Sequence, residues 1–489
     1  MQNRDRFDPR RRALLRLLGA AGTAALLPAC GSRSSAPRRV LIVGAGMAGL
    51  TAANALRQAG VDSVIIEARD RIGGRLWTRD LGGIPVDFGG SWIHEPDGNP
   101  MSAFADQAGV ARTPVDPTND LASIEAYDEN IGRSLLLPET LQAFGAYEGF
   151  DQTDSVWLDQ LGPQASVKDA IEAYIAVAGA AMLPDQRARA LHVTRYVHET
   201  FDAADWGDLS LEYLVNSPIV TYGGSAFGDF PVGGYTRLVQ AMAGRSDVRL
   251  NHVVTRIEHG GSGVTVQALH GTQSVSFSGS HVLVTVPLGV LKAADIAFDP
   301  PLAQRKLDAI GRVGFGHFEK VGLRFDAPFW ESGTPSRTHL YFVSGNADEP
   351  MELPLFLDCQ RAIGQPALVG LVSGAYAQHF ATLGADAIRT RVLAILREVY
   401  GTGVPAPTAV LTSGWANDPF ARGSYSYLAV GSTPDDMDAL AEPASERLLF
   451  AGEATIKQRY GYADGALSSG LREVKRLLGT DQVSVKPYA

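Results

Sequence analysis

Cysteine is nearly absent from this 489-residue chain, which has only Cys30 and Cys359. No disulfide framework can hold the fold, and no thiolate set for a structural zinc exists. The ten His contain no HExxH, which removes the zinc-peptidase pattern. Neither a GxSxG elbow nor a GxxxxGK(S/T) loop occurs, which speaks against a serine hydrolase of that type and against P-loop nucleotide hydrolysis. A basic surplus is missing too. The formal charge is −10, and because residues 1–39 set nine Arg against Asp5 and Asp8, the rest of the chain carries −17. Phosphate binding needs a basic face, so nucleic acid is not an expected partner. An acidic body weakly steers cations toward itself.

What is there suffices for a large core. Hydrophobic residues make up 45% and charged residues 20%, with 53 Gly for tight turns and close backbone approaches. The length allows two or three domains. No internal repeat or low-complexity tract stands out. Residues 1–30 read as an address. Arg10, Arg11 and Arg12 precede a mild apolar run from Leu17 to Ala29. Thirteen residues fall short of the about 20 that a membrane span needs. Arg11-Arg12-Ala13-Leu14-Leu15-Arg16 resembles a twin-arginine export signal, and Leu27-Pro28-Ala29-Cys30 a bacterial lipobox with Pro28 out of pattern. The expectation is a bacterial protein exported by the twin-arginine route to the periplasm or outer envelope. Its membrane contact would come only through a lipid on Cys30.

Residues 38–67 carry the most specific signal. Val40-Leu41-Ile42-Val43 reads as a buried parallel strand, Gly44-Ala45-Gly46-Met47-Ala48-Gly49 follows at once, and Leu50 to Gly60 has helical spacing. A second strand, Val61 to Ile66, ends in Glu67, 23 residues after Gly44. Gly44 makes the tight turn, Gly46 lets backbone N–H groups reach a pyrophosphate, and Gly49 lets helix and strand pack closely. The diphosphate sits on the helix N-terminus and Glu67 accepts from ribose hydroxyls. This unit predicts a dinucleotide site without separating NAD from FAD.

Further segments follow in order: Glu67-Ala68-Arg69-Asp70-Arg71-Ile72-Gly73-Gly74-Arg75; Gly89-Gly90-Ser91-Trp92-Ile93-His94; Asn99-Pro100; Phe230 to Tyr235; Lys320 within His317 to Leu323; Trp415 with Arg422 to Tyr427; Phe450 to Thr455; and Gly465 to Leu471. With these motifs the chain resembles the flavin-containing amine oxidase family (monoamine oxidases, polyamine oxidases and lysine-specific histone demethylases) over nearly all of residues 39–478. The resemblance implies an α/β fold with a Rossmann-type FAD-binding domain intertwined with a mixed α+β substrate-binding domain. Segments 39–111, 229–299 and 415–489 fall to the first and 112–228 and 300–414 to the second, after a 1–30 signal and a 31–38 linker.

Carried over residue by residue, FAD contacts fall on Gly44, Gly46, Gly49, Glu67, Arg69, Gly74, Arg75, Gly90, Ser91, Trp92, Val254, Gly452, Glu453, Tyr462 and Ala463. Glu67 is implied on the ribose, Arg75 on the diphosphate side, the Val254 backbone on the adenine and Glu453 on the ribityl chain. The helix starting near Tyr462 is implied to face the flavin carbonyl. Lys320 matches the family lysine held through a water near flavin N5, and Tyr425 and Tyr462 match the rings that flank the amine, beside Trp415. Taken singly, Glu453 also reads as a helix-start carboxylate, Lys320 as a solvated strand edge, and the two Tyr as core packing.

Ser424 stands where monoamine oxidases carry a flavin-bonding Cys, and Cys359 lies outside the pattern, so the FAD is expected to be noncovalent. His94 matches a His of some polyamine oxidases and equally suits a structural role beside Trp92. Glu95 and Asp97 fit either a contact to a distal ammonium or a solvated turn. The implied activity is oxidation of a primary or secondary monoamine or polyamine to an imine by hydride transfer to FAD. O2 then regenerates the flavin with H2O2 as product, and the imine hydrolyses to an aldehyde. The alternative is a flavin L-amino acid oxidase, which needs a buried Arg for the α-carboxylate. An aromatic slot disfavours the ammonium form by desolvation while cation–π attraction favours it, so the sequence leaves the bound protonation state open.

Overall fold

The strand Arg39–Val43 explains its own unbroken apolar run. Val40 and Ile42 belong to one core cluster and Leu41 and Val43 to another, so both faces of the strand are covered. The structure is a computed structural model, and it describes residues 39–115, 124–225, 228–331, 339–347 and 352–488. The leader, with Arg10 to Arg12, the Leu17–Ala29 run and Cys30, lies outside the described residues.

Arg39–Val43 is the middle of a five-stranded parallel sheet in the order Leu448–Phe450, His281–Val284, Arg39–Val43, Asp62–Ile66, Asp247–Arg249. Helix Met47–Gln58 begins three residues earlier than its apolar spacing suggests, because Gly46 is already its N-cap. Gly44, at φ 105°, turns the chain out of the strand. A four-stranded sheet, Gln273–Gly279, Val264–His270, His252–Glu258 and Ala297–Asp299, lies alongside in sequence. The apolar run near 248–257 therefore does not form one strand. Asn251 adopts φ 60° and donates its N–H to the Arg69 carbonyl, so residues 247–249 pair in one sheet and 252–258 in the other.

The third large sheet has seven strands in the order Ala409–Thr412, Phe318–Arg324, Ala367–Ser373, Leu355–Asp358, His339–Val343, Ile124–Asp128, Arg133–Ser134. It is antiparallel except where His339–Val343 runs parallel to Ile124–Asp128. Helices Leu137–Asp151, Val167–Ala178 and Pro184–Asp202 fill the interval between its first strands and the next return of the chain. The segment at 453–455 is a single 3-10 turn rather than the start of a long helix.

The C-terminal residues clasp the first helix. Asn54 donates from Nδ2 to the carbonyls of Met242 and Lys486 at 2.9 and 2.8 Å and accepts the Lys486 N–H at 3.1 Å. Tyr488 donates its N–H to Ala241 O, and the Arg57 guanidinium lies 3.7 Å from the centre of its ring. Among the described residues no helix is long and apolar enough to cross a membrane.

Candidate active site

A cavity of about 1060 Å³ opens where the parallel strands end. Val43, Ile66 and Thr285, at the carboxyl ends of three strands or just beyond, form one end of its wall; His339, Leu357 and Leu371, from the seven-stranded sheet, form the other. Open α/β sheets bind ligands at this edge, because the helix N-termini that follow the strands converge there.

At the first end the charges are mutually satisfied. Glu67 accepts the Ala45 N–H at 2.6 Å and the Arg69 N–H at 2.9 Å. Arg69 pairs with Asp418 at 2.7 Å, and Arg75 with Glu453 at 2.9 Å while also donating to Ser424 O. Glu453 is buried and accepts from the Ser426 hydroxyl and the Gly461 N–H, which ties three distant segments together. Helix Met47–Gln58 enters this end with no side chain capping it, and so does helix Ala463–Leu478, whose N-cap is Tyr462. Two uncapped N-termini of helices at least 12 residues long present unpaired N–H groups and positive dipole ends to one cavity.

These residues fit FAD. A Cβ on Gly46 would meet nothing within 4 Å, so the backbone there is open to close approach. Gly74, Gly90, Ser91, Trp92, Val254, Gly452, Tyr462 and Ala463 all line the same cavity, with Val254 at a β-bulge in its strand. Gly49 does not. A Cβ at Gly49 would lie 2.1 Å from Gly44 O, so its contribution is the close approach of helix and strand and not a cofactor contact.

Lys320 stands at the junction of the two ends. Its Nζ donates to Gly89 O at 2.7 Å and Ser91 Oγ at 2.5 Å. It is a buried lysine within a strand and not an exposed strand edge. Burial pulls Lys320 below the ordinary lysine value and pushes the neighbouring Asp87 carboxyl up, each opposed by the other's charge. The next residue back along the strand points the other way: Glu319 accepts the N–H groups of Gly414 and Ala416, fixing the loop that carries Trp415. Trp415 itself donates from Nε1 to Phe88 O at 2.8 Å, so its indole N–H is engaged by the protein.

At the second end the lining turns aromatic. Tyr425 and Tyr462 both line the cavity, and burial raises both phenols, Tyr462 to about 12, so both stay neutral. The Tyr425 hydroxyl donates to the carbonyls of Thr200 and Phe201 at 3.0 and 3.1 Å, closing off the C-terminus of helix Pro184–Asp202. Tyr462 meets the His94 ring edge-on at 5.2 Å, and the Arg459 guanidinium covers its ring at 4.1 Å. Glu95 pairs with Arg459 at 2.8 Å, and Asp97 pairs through its backbone with Gly223; neither lines the cavity.

Among the carboxyl groups that line the cavity is Asp202, which no motif announces. It is the last residue of helix Pro184–Asp202, and its carboxylate makes no hydrogen bond or ion pair among the described residues. Burial pushes it up to about 7. Its only local signal is negative, an acid at a helix C-terminus where the dipole disfavours one.

A family model described as flavin-containing amine oxidoreductase matches residues 47–478. The chain belongs to this family. FAD is accordingly the cofactor of this flavin-containing amine oxidoreductase. The chain is 33% identical to lysine-specific histone demethylase 1 homolog 1 of Oryza sativa subsp. japonica, over 94% of its own length and 54% of that protein. It is 34% identical to Protein FLOWERING LOCUS D of Arabidopsis thaliana, over 92% of its length and 56% of that protein, so it spans about half the length of these relatives. Polyamine oxidase 4 of Oryza sativa subsp. japonica is matched at 32% identity over 95% of both chains. Among solved structures, a putrescine oxidase variant superposes with a TM-score of 0.71 at 22% identity, covering 90% of this chain and 99% of that one, a likeness of fold.

In this flavoprotein no described cysteine lines the cavity. Ser424 Oγ is engaged by Phe318, accepting its N–H and donating to its carbonyl at 2.7 and 2.9 Å. Cys359 is buried away from the cavity, with its thiol pushed up to about 12 by burial. Among the described residues no cysteine is placed to form a thioether with the flavin, and the FAD is held noncovalently.

Proposed function

We propose that this oxidoreductase converts a small alkylamine, monoamine or polyamine, to the corresponding imine, which hydrolyses to an aldehyde. FAD, when bound, would supply the hydride acceptor for the carbon bearing the nitrogen and the route for the electrons to O2, giving H2O2. Gly46, Glu67, Arg69, Arg75 and Glu453 would hold it. The protein's own part is to orient the C–H bond between Tyr425 and Tyr462, keep water from the slot, and hold Lys320 Nζ at the junction, where it can position a water.

One observation carries the choice of an amine over an α-amino acid. Every arginine lining the cavity is already ion-paired: Arg69 with Asp418, Arg75 with Glu453 and Arg422 with Asp295. None is left among the described residues to receive an α-carboxylate, while the aromatic end carries a carboxyl of its own.

The deciding experiment is anaerobic mixing of the flavin-loaded protein with putrescine, spermidine, spermine, aromatic monoamines and L-amino acids, following loss of the yellow absorbance. Bleaching by one amine class supports the reading, and bleaching by amino acids alone overturns it. Lys320→Met should slow turnover or flavin reoxidation by about tenfold or more, and unchanged rates for both would remove its role. Acid precipitation should leave the yellow colour in the supernatant; a yellow pellet would contradict noncovalent attachment. Export by the twin-arginine route and lipidation at Cys30 belong to the same proposal, and rest on residues 1–30 alone. Replacing Arg11 and Arg12 by Lys should trap the protein inside the cell.

A further inference from the structure

Asp202 is a costly residue to place among aromatic rings. Its carboxylate lies at a helix C-terminus, where the dipole disfavours negative charge, and it has no hydrogen-bond or ion-pair partner among the described residues. The residue is partly buried and lines the cavity. Its charge is felt by Tyr425, Tyr427, Tyr460 and Tyr462, which places it among the rings of the aromatic end. Other ionisable groups close by do not neutralise it. Glu199 and Tyr196 share its helix, and Arg195 is bound to Glu199. His317, whose N–H donates to Ala203 O, is pulled down by burial and stays neutral. Arg459, behind the Tyr462 ring, is engaged by Glu95 and Asp464.

An alkylammonium supplies what this carboxylate lacks. It also brings a difficulty: with a pKa near 10.4 it arrives protonated at neutral pH, and in that form has no lone pair to assist loss of a hydride from the adjacent carbon. Resting on the amine reading above, we propose that Asp202 docks the substrate as its ammonium and takes the proton from it inside the slot. The N–H bond of the ammonium breaks and an O–H bond forms on Asp202, leaving neutral amine and neutral carboxylic acid. No electrons change hands in this step, and no net proton leaves the site. The surroundings favour this product pair, because an aromatic, water-poor slot penalises two charges more than none. A carboxyl pushed up to about 7 is a far better proton acceptor than an ordinary aspartate and is still charged at mildly alkaline pH. The ring of Tyr462 is already covered on one side by Arg459, which weakens its pull on a second cation and leaves Asp202 as the main cation-holding group.

The test uses the FAD-loaded protein and its Asp202→Asn variant, whose visible spectrum and flavin content should match. The first probe is tert-butylamine, which carries no hydrogen on the carbon next to nitrogen and therefore binds without reducing the flavin. Calorimetry at pH 8 in two buffers of different ionisation heat reads the protons released on binding. The wild type should release nearly none, and the variant, forced to bind neutral amine, about one per amine. Equal release by both proteins, or no binding to the wild type, would overturn the proposal. The second probe is the amine that bleaches the flavin fastest, at a subsaturating concentration under anaerobic conditions. At pH 7 the variant should reduce its flavin at least about tenfold more slowly than the wild type, with the gap closing toward pH 10. Superimposable pH profiles would overturn the proton transfer even if docking held. If tert-butylamine binds with its proton retained while no amine bleaches the flavin, the ammonium site stands and the oxidation reading falls.

Discussion

The two ends of the cavity treat charge in opposite ways. At the cofactor end Glu67, Arg69, Arg75 and Glu453 all have partners, so the side-chain charges there are balanced within the protein. At the aromatic end Asp202 has none, and the groups around it are mostly phenols raised by burial. A paired cradle fixes geometry for a ligand that stays. An unpaired acid holds its interaction in reserve for a ligand that comes and goes, at the cost of a desolvated charge in the resting state.

The comparison can be broken most forcefully at the paired end. Glu453→Ala would strand Arg75, the Ser426 hydroxyl and the Gly461 N–H together, and we expect about 3–5 kcal/mol of lost stability with little flavin retained. Thermal unfolding and the ratio of visible to ultraviolet absorbance check this; a variant as yellow and as stable as the wild type would show that the pairing is dispensable.

At the unpaired end the same kind of change should act in the opposite direction. The folded state lifts Asp202 from near 3.8 to about 7, so the native chain holds that proton longer than the unfolded chain does. Stability is therefore lost as pH rises across that window and stays lost above it. Asp202→Asn should stabilise the amine-free protein by about 2–4 kcal/mol at pH 8 and by nothing below about pH 4. A gain independent of pH would mean that the charge is not the cause. The smallest effect is expected at the rim of the aromatic end: Tyr425→Phe removes the hydroxyl that closes the helix at Thr200 and Phe201, for about 1 kcal/mol. Faster amide exchange confined to the last turn of Pro184–Asp202 would confirm it, and unchanged exchange there would show that water caps the helix equally well.

Legibility in the sequence follows the same division. The strand, turn and helix at 39–58 are set by neighbours in the chain, so Gly44, Gly46 and Glu67 could be read directly, and family motifs extended the reading to Lys320, Tyr425 and Glu453. Asp202 was invisible because its meaning comes from what surrounds it in space, on segments more than 200 residues away. Glu95 stayed open for the converse reason: next to His94 it fits either a substrate contact or a solvated turn, and Arg459, 364 residues on, claims it. The split at Asn251 was hidden too, since alternating apolar residues continue across a break that only the pairing of two different sheets reveals.

The parallel sheet has a consequence for the order of events during synthesis. Its central strand is made within the first tenth of the chain, while an edge strand, Leu448–Phe450, and the clasp at Lys486 and Tyr488 come last. The nucleotide-binding helix thus emerges early from the ribosome and waits, incompletely covered, through some four hundred residues. A chain cut before Lys486 would lose the clasp on the first helix, and weaker flavin retention is the expected outcome.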